Sequence, residues 1–550
     1  MWIRELEVAF RRGRRGVRSA LPAVAFLLLG LAAAFHPVLR SGLARIPGDR
    51  SDTIHLHFVI EHVWLWLSGG VAAGSFWDAP IGHPLAGTLA HGDLMLGFSP
   101  LYAPWRALGA TPERAWALFV LVAVSLDYVA TWLLLRRVFR ADALAASLGA
   151  WLFAFSNARL AQLGHPQLLP QLFVLGAFAS VCLFFARDAS PARQRVAIAG
   201  YATCLLLQLW SGFYVGYFMA LISAVALACA LVLDDTRARV LERVRCRAGG
   251  LVAAVLVSAM LLAPLAIRYL DARAASRRVG VGAGELRLPR LASYLYMGPE
   301  NVLYGWTARW PVFSGLPEAH EQAIGLGLVT TGVLLVVAWR RRGEPSVRLA
   351  ALVIAVLLVA LTWFPFGVRL WRLWYYTIPG LGAVRAVSRI GIFLALPAAI
   401  ALACFVRDAR LRGRGPALMA LAIALVCGAE QLRRVPSYDG VRWACEVERL
   451  VEVIPPEAAA FHLMGDRFDG LQALAVAQRS GVPTVNFVGG AFPKEWTLFE
   501  AQVRDGGRDP GALRAARLRF LVEHGVDPDT VVEIDPEAIR AGCAASGARG

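Results

Sequence analysis

Residues 48–67 read GDRSDTIHLHFVIEHVWLWL. An acidic turn holding Asp49 and Asp52 runs straight into a largely apolar stretch, Thr53–Leu67. Immediately upstream, residues 19–39 form an apolar run of the length that crosses a bilayer. The acids therefore stand where the chain leaves its first span. The stretch that follows carries His55, His57, Glu61 and His62 among Ile54, Phe58, Val59, Ile60 and Val63, with Trp64 and Trp66. Tryptophan favours the membrane interface, so this stretch reads as a helix lying on the bilayer. A second such element is expected at Leu94–Leu108. An acid pair held in water against a membrane face suits chemistry on a lipid-linked substrate. The three histidines do not share one helical face and do not suggest a metal site. Asp52 also precedes its helix as an N-cap does, and Asp93 precedes the second element in the same way.

Working outward, apolar runs recur at about 113–135, 142–157, 168–186, 195–211, 213–233, 249–269, 322–339, 347–364, 389–406 and 415–432. With the first, that makes eleven expected spans. The chain is 57% hydrophobic, above the usual soluble composition. Its net charge of +17 comes almost wholly from arginine, Lys494 being the single lysine. The arginines gather in alternate loops: Arg11–Arg18, Arg136–Arg140, Arg187–Arg195, Arg237–Arg247, Arg340–Arg342 and Arg407–Arg414. The positive-inside rule puts these loops and the amino terminus in the cytoplasm, and the carboxyl terminus outside. Nucleic acid is not an expected partner, because these charges are divided among short loops rather than gathered on one face. The first segment resembles a cleavable signal at Leu31–Ala34, but its length favours an uncleaved anchor.

The long outer loops are then 40–112, 270–321 and 365–388, with the tail from 433. No GxxxxGK[ST] and no GxGxxG after a strand occurs, so no nucleotide site is expected. An energy-rich donor would carry its own activation, as a lipid phosphate does. Cys445 and Cys543 are the only cysteines placed outside, and we expect them to form a disulfide. Asp127, inside the second span, reads as a structural hydrogen-bonder toward the cytoplasmic half, far from the outer loops.

Other outer residues invite two readings each. His165 and Gln167 follow the third span and lie within reach of a donor phosphate or sugar; they equally suit a loop capped by its own side chains. Glu285 and Glu321 lie in a loop rich in Tyr and Trp, a composition that suits a sugar and also an ordinary interfacial loop. Arg385 and Arg389, if both helical, share a face at i, i+4 and could hold a lipid phosphate bidentately. The alternative is anchoring to anionic lipid.

Several segments together resemble the bacterial GT-C glycosyltransferase superfamily. They are GDRSD after the first span, FWDAPIGHPLAGTLAHGD (76–93), AFSNARLAQLGHPQLLPQ (154–171) and IPGLGAVRAVSR (378–389). The resemblance covers about residues 20–430 and extends weakly to GVPTVNFVGGAFP in the tail; it is strongest to an uncharacterised branch that includes YfhO-like proteins. It implies an inverting glycosyltransferase that moves a sugar from a polyprenyl-phosphate donor to a glycan, lipid or protein acceptor outside the membrane. The acid after the first span would be general base or metal ligand, which falls on Asp52 with Asp49 second. Where that superfamily's protein mannosyltransferases carry an adjacent Asp-Glu pair, this chain has D-x-x-D. Arg385, Arg389, His165 and Gln167 would bind donor phosphate, and Asp93, Glu285 and Glu321 the substrate. A divalent metal held by Asp49, Asp52 and Asp93 stays open. A transporter or flippase for lipid-linked glycans, or an inactive scaffold, is the alternative.

The expected architecture is an all-α polytopic membrane protein of the inner membrane, residues 1–432, with a small outer α/β domain at 433–550. In that domain YDGVRWACEVERLVEVI and DPGALRAARLRFLVEHGV read as helices, and VPTVNFV and TVVEID as strands.

Overall fold

The computed structural model describes residues 13–70, 76–277, 280–540 and 543. Arg11 and Arg12 of the amino-terminal basic cluster lie outside the described residues. All eleven apolar runs contain helix. Six helical segments among the described residues are long and apolar enough to cross a membrane: Ala20–Arg40, Pro112–Arg137, Pro166–Phe184, Phe213–Val232, Asp234–Ala275 and Val387–Leu411. Leu328–Arg340 and Pro345–Leu361 are apolar but shorter. The chain is thus a polytopic helical membrane protein. Asp234–Ala275 runs on for 42 residues, joining an arginine-rich start to an apolar stretch and accommodating Pro264 within it.

The helices pack through small residues, as they must where lipid offers no hydrophobic drive between them. Pro112–Arg137 lies on Ala143–Ala154, which lies on Ala395–Leu411. At Gly149 an added Cβ would stand 2.8 Å from the Ala399 carbonyl oxygen, so only glycine lets these backbones approach so closely.

Ala143–Ala154 is short, and the chain after it stays irregular, with brief turns at Asn157–Leu160 and Pro166–Leu168. Irregular backbone near membrane depth survives only when protein groups satisfy it. Arg159 does this. Its fully buried guanidinium donates to the carbonyls of Phe153, Ala154 and Leu169 and pairs with Asp127. Asp127 also accepts from the Gln171 backbone N–H at 3.0 Å. Asp127 is therefore not remote from the outer loops: it fastens the base of the 155–171 loop.

Strands and a shared core join the first loop to the tail. Strand β1 (Arg45–Pro47) pairs antiparallel with β2 (Ser437–Asp439), Ile46 opposite Tyr438. Strand β3 (Ala460–Leu463) pairs parallel with β4 (Val531–Ile534). Thr484 bridges to both Ile81 and Phe461. One hydrophobic core contains Ile46, Ile54 and Phe58 of the first loop with Trp443, Phe461 and Leu474 of the tail. The two helices expected in the tail form at Gly440–Glu452 and Pro510–Glu523, and TVVEID supplies β4. VPTVNFV is not a strand; it contributes only the bridges at Thr484, and the neighbouring strand is instead AFHL. Cys445 and Cys543 form a disulfide.

The Asp52–Leu67 helix differs most from expectation. It does not lie on the bilayer. Residues 53, 54 and 56–63 are buried in protein, against the Arg467–Ser480 helix on one side and Ser99–Ala107 on another. Its polar residues are satisfied inside. His57 bonds the Pro112 carbonyl at 2.9 Å, and His62 that of Phe76 at 3.1 Å. Glu61 accepts from Tyr102 Oη and from Arg106 in a two-pronged pair. Only the end, Trp66–Leu67, is well exposed.

Candidate functional site

Asp52 opens its helix at the first helical position. The capping role belongs to Asp49, whose Oδ1 accepts from the backbone N–H groups of Ser51 at 3.1 Å and Thr53 at 3.3 Å. The Asp49 carboxylate also lies against Gly164, where a Cβ would fall 2.5 Å from Oδ2. A residue with a side chain at 164 would push the two loops apart. With the cap supplied three residues earlier, Asp52 is left to reach across to the 155–171 loop.

There it meets His165. Nδ1 of His165 lies 3.0 Å from Asp52 Oδ2, and Nε2 lies 3.4 Å from Glu321 Oε1. Glu321 in turn accepts from Arg389, Nη2 to Oε1 at 2.6 Å and Nε to Oε2 at 3.0 Å. At the other end Arg467, from the tail domain, donates to Asp52 Oδ1 at 3.0 Å. Residues far apart in the chain thus form one alternating line of charge: Arg467, Asp52, His165, Glu321, Arg389.

The charges set one another. Burial alone would raise the Asp52 carboxyl, but the His165 hydrogen bond and the charges of His165, Arg467 and His55 outweigh it and hold it well below the usual carboxylate range. Burial would likewise raise Glu321; Arg389 and His165 hold it far below instead. Burial and the charge of Arg389 press His165 down, yet its bonds to the two carboxylates leave it raised. His55, one helical turn after Asp52, is lowered to about 4 by burial and stays neutral.

Arg385 and Arg389 do not share a helical face. Residues 387–394 form a 3-10 segment, and Arg385 precedes it in irregular chain. Tyr214 shapes this bend: its hydroxyl accepts from the Arg385 backbone N–H at 2.9 Å, while its ring lies 5.0 Å from the Arg389 guanidinium. Arg389 is buried and committed to Glu321. Arg385 is half-buried, and its guanidinium has no ion pair among the described residues.

Asp93 sits beside the line. It accepts from the Phe213 backbone N–H at 2.7 Å, so it caps the Phe213–Val232 helix rather than the element that follows it in sequence. Gln167 hydrogen-bonds Asp93, and burial raises the Asp93 carboxyl. Just beyond Asp93 an apolar cleft of about 370 Å³ opens, lined by Leu96, Phe98, Leu101, Phe173, Leu207 and Trp210.

Glu285 does not join this group. Arg369, before the Trp371–Thr377 helix, and Arg372, within it, hold Glu285 at 2.8 and 2.6 Å. A divalent cation on Asp49, Asp52 and Asp93 does not fit either. Asp49 and Asp93 each cap a helix, and Asp52 faces His165 and Arg467. Among the described residues no cluster of three metal-ligating side chains occurs. Arg467 and the placement of His55 escaped the sequence reading. The i, i+3 spacing of Asp52 and His55 was a usable signal, whereas Arg467 looks like any surface arginine of the tail.

The fold and site together define a polytopic helical membrane protein in which a line of paired charges joins loops between its helices to its carboxyl-terminal region. No family model and no curated protein matches the chain. Among solved structures it is similar to ArnT from Cupriavidus metallidurans bound to undecaprenyl phosphate. That similarity covers 94% of this chain and 90% of that one, at 12% identity and TM-score 0.47. ArnT from the same organism in the apo state is similar over 86% of each chain, at 10% identity and TM-score 0.44.

Proposed function

We propose that the chain is an inverting glycosyltransferase of the GT-C type, working at the outer face of the inner membrane. Its donor is a polyprenyl-phosphate-linked sugar and its acceptor a hydroxyl of a cell-envelope glycan, lipid or protein. The observation that carries this reading is the line from Arg467 through Asp52, His165 and Glu321 to Arg389, set beside an apolar cleft. A carboxylate, a phosphate-binding cation and an apolar trough are what transfer from a lipid phosphate needs at one place.

In the proposed step the acceptor oxygen attacks the anomeric carbon from the face opposite the phosphate. The carbon–oxygen bond to phosphate breaks, and the polyprenyl phosphate leaves with the electron pair. The acceptor proton passes to Asp52. A carboxylate with so depressed a pKa is a weak base, so the proton moves late, when the acceptor oxygen already bears positive charge. His165 is a positioning residue that fixes the Asp52 carboxylate, and Glu321 orients His165. Arg385 meets the departing phosphate with an unengaged planar fork. Arg389 supports it from behind Glu321. The polyprenyl chain lies in the cleft between Leu96 and Trp210.

Purified full-length protein in lipid, given a panel of polyprenyl-phosphate sugars, tests this. Arg385→Ala should raise the KM for donor roughly tenfold or more, and Arg385→Lys should recover only part of it, because a point charge cannot replace a bidentate fork. Unchanged donor use in both variants would remove Arg385 from the site.

A further inference from the structure

A second cluster of arginines lies apart from the Asp52 line. The guanidinium carbons of Arg290 and Arg369 lie 3.8 and 4.2 Å from the centre of one ring, that of Trp363. Arg369 and Arg372 share a single carboxylate, Glu285. Three arginines thus face one acid, an excess of two positive charges. Nearby Arg287 does not change this count, since Glu318 pairs with it at 3.0 Å. One guanidinium nitrogen of Arg290, Nη1, is buried with no hydrogen-bond partner. Burial and the charge of Arg369 pull the Arg290 pKa down to about 10, the mark of a cation short of an anion.

The surroundings are apolar and uncovered. Trp363 follows directly on the Pro345–Leu361 helix. Phe364 and Val368 close a tight loop through a 2.8 Å backbone bond, and Phe366 at its tip is wholly exposed. Leu373 and Tyr376 project from the short Trp371–Thr377 helix, 52% and 75% exposed. Leu286 and Leu291 flank the same cluster from the neighbouring loop, each about half exposed. Exposed aromatic and aliphatic side chains at the end of a span belong in the interfacial layer of a bilayer. Arginines among them face lipid headgroups, and Arg binds phosphate through its fork.

We propose that Arg290, Arg369 and Arg372 form a binding site for the phosphate of an anionic phospholipid in the outer leaflet, with the Phe366 loop and the Leu373 and Tyr376 side chains set among its acyl chains. The partner is a lipid rather than a soluble anion because the charge lies within an apolar, uncovered rim. This site is separate from sugar transfer and does not rest on that reading. It holds the 281–295 and 363–377 segments to the membrane, and through the Arg287 carbonyl, which accepts from the Ser388 N–H at 3.0 Å, it abuts the segment carrying Arg389.

The test is native mass spectrometry of delipidated full-length protein titrated with phosphatidylglycerol or phosphatidylcholine. One phosphatidylglycerol should bind at a roughly thirtyfold lower concentration than phosphatidylcholine, the ratio that two unbalanced interfacial charges at about 1 kcal/mol each amount to. Arg290→Gln with Arg372→Gln should abolish the preference, while Arg309→Gln, at an exposed outer arginine, should leave it intact. Glu285→Gln should strengthen retention, and this holds the proposal to account if the double variant fails to fold. Equal binding of the two lipids, an unchanged preference in the double variant, or equal loss in Arg309→Gln would overturn the site. Displacement of phosphatidylglycerol by millimolar inorganic phosphate would overturn it in favour of a soluble anion.

Discussion

Glu321→Gln is the most informative perturbation of stability. Glu321 and Arg389 meet through two short bonds, with side chains 4% and 8% exposed. Removing one member of such a pair leaves the other charged, buried and unpaired, which costs about 3–5 kcal/mol. Glutamine keeps the shape and one accepting oxygen, so the lower end of that range applies. Arg389→Met should cost a similar amount, because it strands Glu321 with only His165 as a charged partner. The double variant removes both charges and should cost far less than the sum, giving a coupling of roughly 3 kcal/mol. A reversible denaturation series in mixed micelles, followed by tryptophan fluorescence, measures all four corners of the cycle. Additive costs would show that the pair is not coupled, and the line of charge would then break at Glu321.

Three other outcomes follow from the same structure. The folded pKa of His165 is raised, so its contribution is complete below about pH 6.5 and is lost as pH rises through the folded value; those of Asp52 and Glu321 are depressed, so theirs is present above about pH 4 and lost only as pH falls through the folded values. The gap in thermal stability between the unmodified protein and His165→Asn should therefore be widest at about pH 4–6.5 and narrow as pH rises through the raised folded value of His165; a gap constant from acid to alkaline pH would contradict the pairing. Replacing Cys445 and Cys543 by Ser should cost the tail domain about 4–5 kcal/mol, given their separation of 98 residues, seen as faster limited proteolysis; free thiols by mass spectrometry in protein from an oxidising compartment would refute the bond. Reporter fusions after Asp235 and after Arg434 should read cytoplasm and outside respectively, and the reverse at either point would invert the placement of the site.

Much of the helical framework was legible because an apolar run of bilayer length has few other uses. The site was legible only residue by residue. Asp52, His165, Glu321 and Arg389 each stood out, yet the bonds joining them to one another and to Arg467 span gaps of 68 to 415 residues and leave no periodic trace in the sequence. Local chemistry misled in three places. The cap was given to Asp52, where Asp49, three residues earlier, holds it. Trp64 and Trp66 suggested a helix on the bilayer, but the tail domain covers that helix, and a tertiary contact of that range cannot be read from one segment. The spacing of Arg385 and Arg389 implied one helical face, but the Tyr214 hydroxyl takes up the backbone N–H groups of Arg385 and Ala386 and the chain bends there. Asp127 looked isolated because its partner, Arg159, sits in an apparently featureless loop.

Sugar transfer by Asp52→Asn tests the central claim most directly. Asparagine keeps the size of the side chain and one accepting oxygen, and Asp52 does not cap its helix, so the protein should stay folded, with a thermal transition lowered by the loss of the charge that pairs with His165 and Arg467. The basic carboxylate is gone, so transfer from a polyprenyl-phosphate sugar by purified protein in lipid should fall roughly 10²–10⁴-fold. A folded Asp52→Asn protein that transfers sugar as fast as the unmodified one would contradict the account.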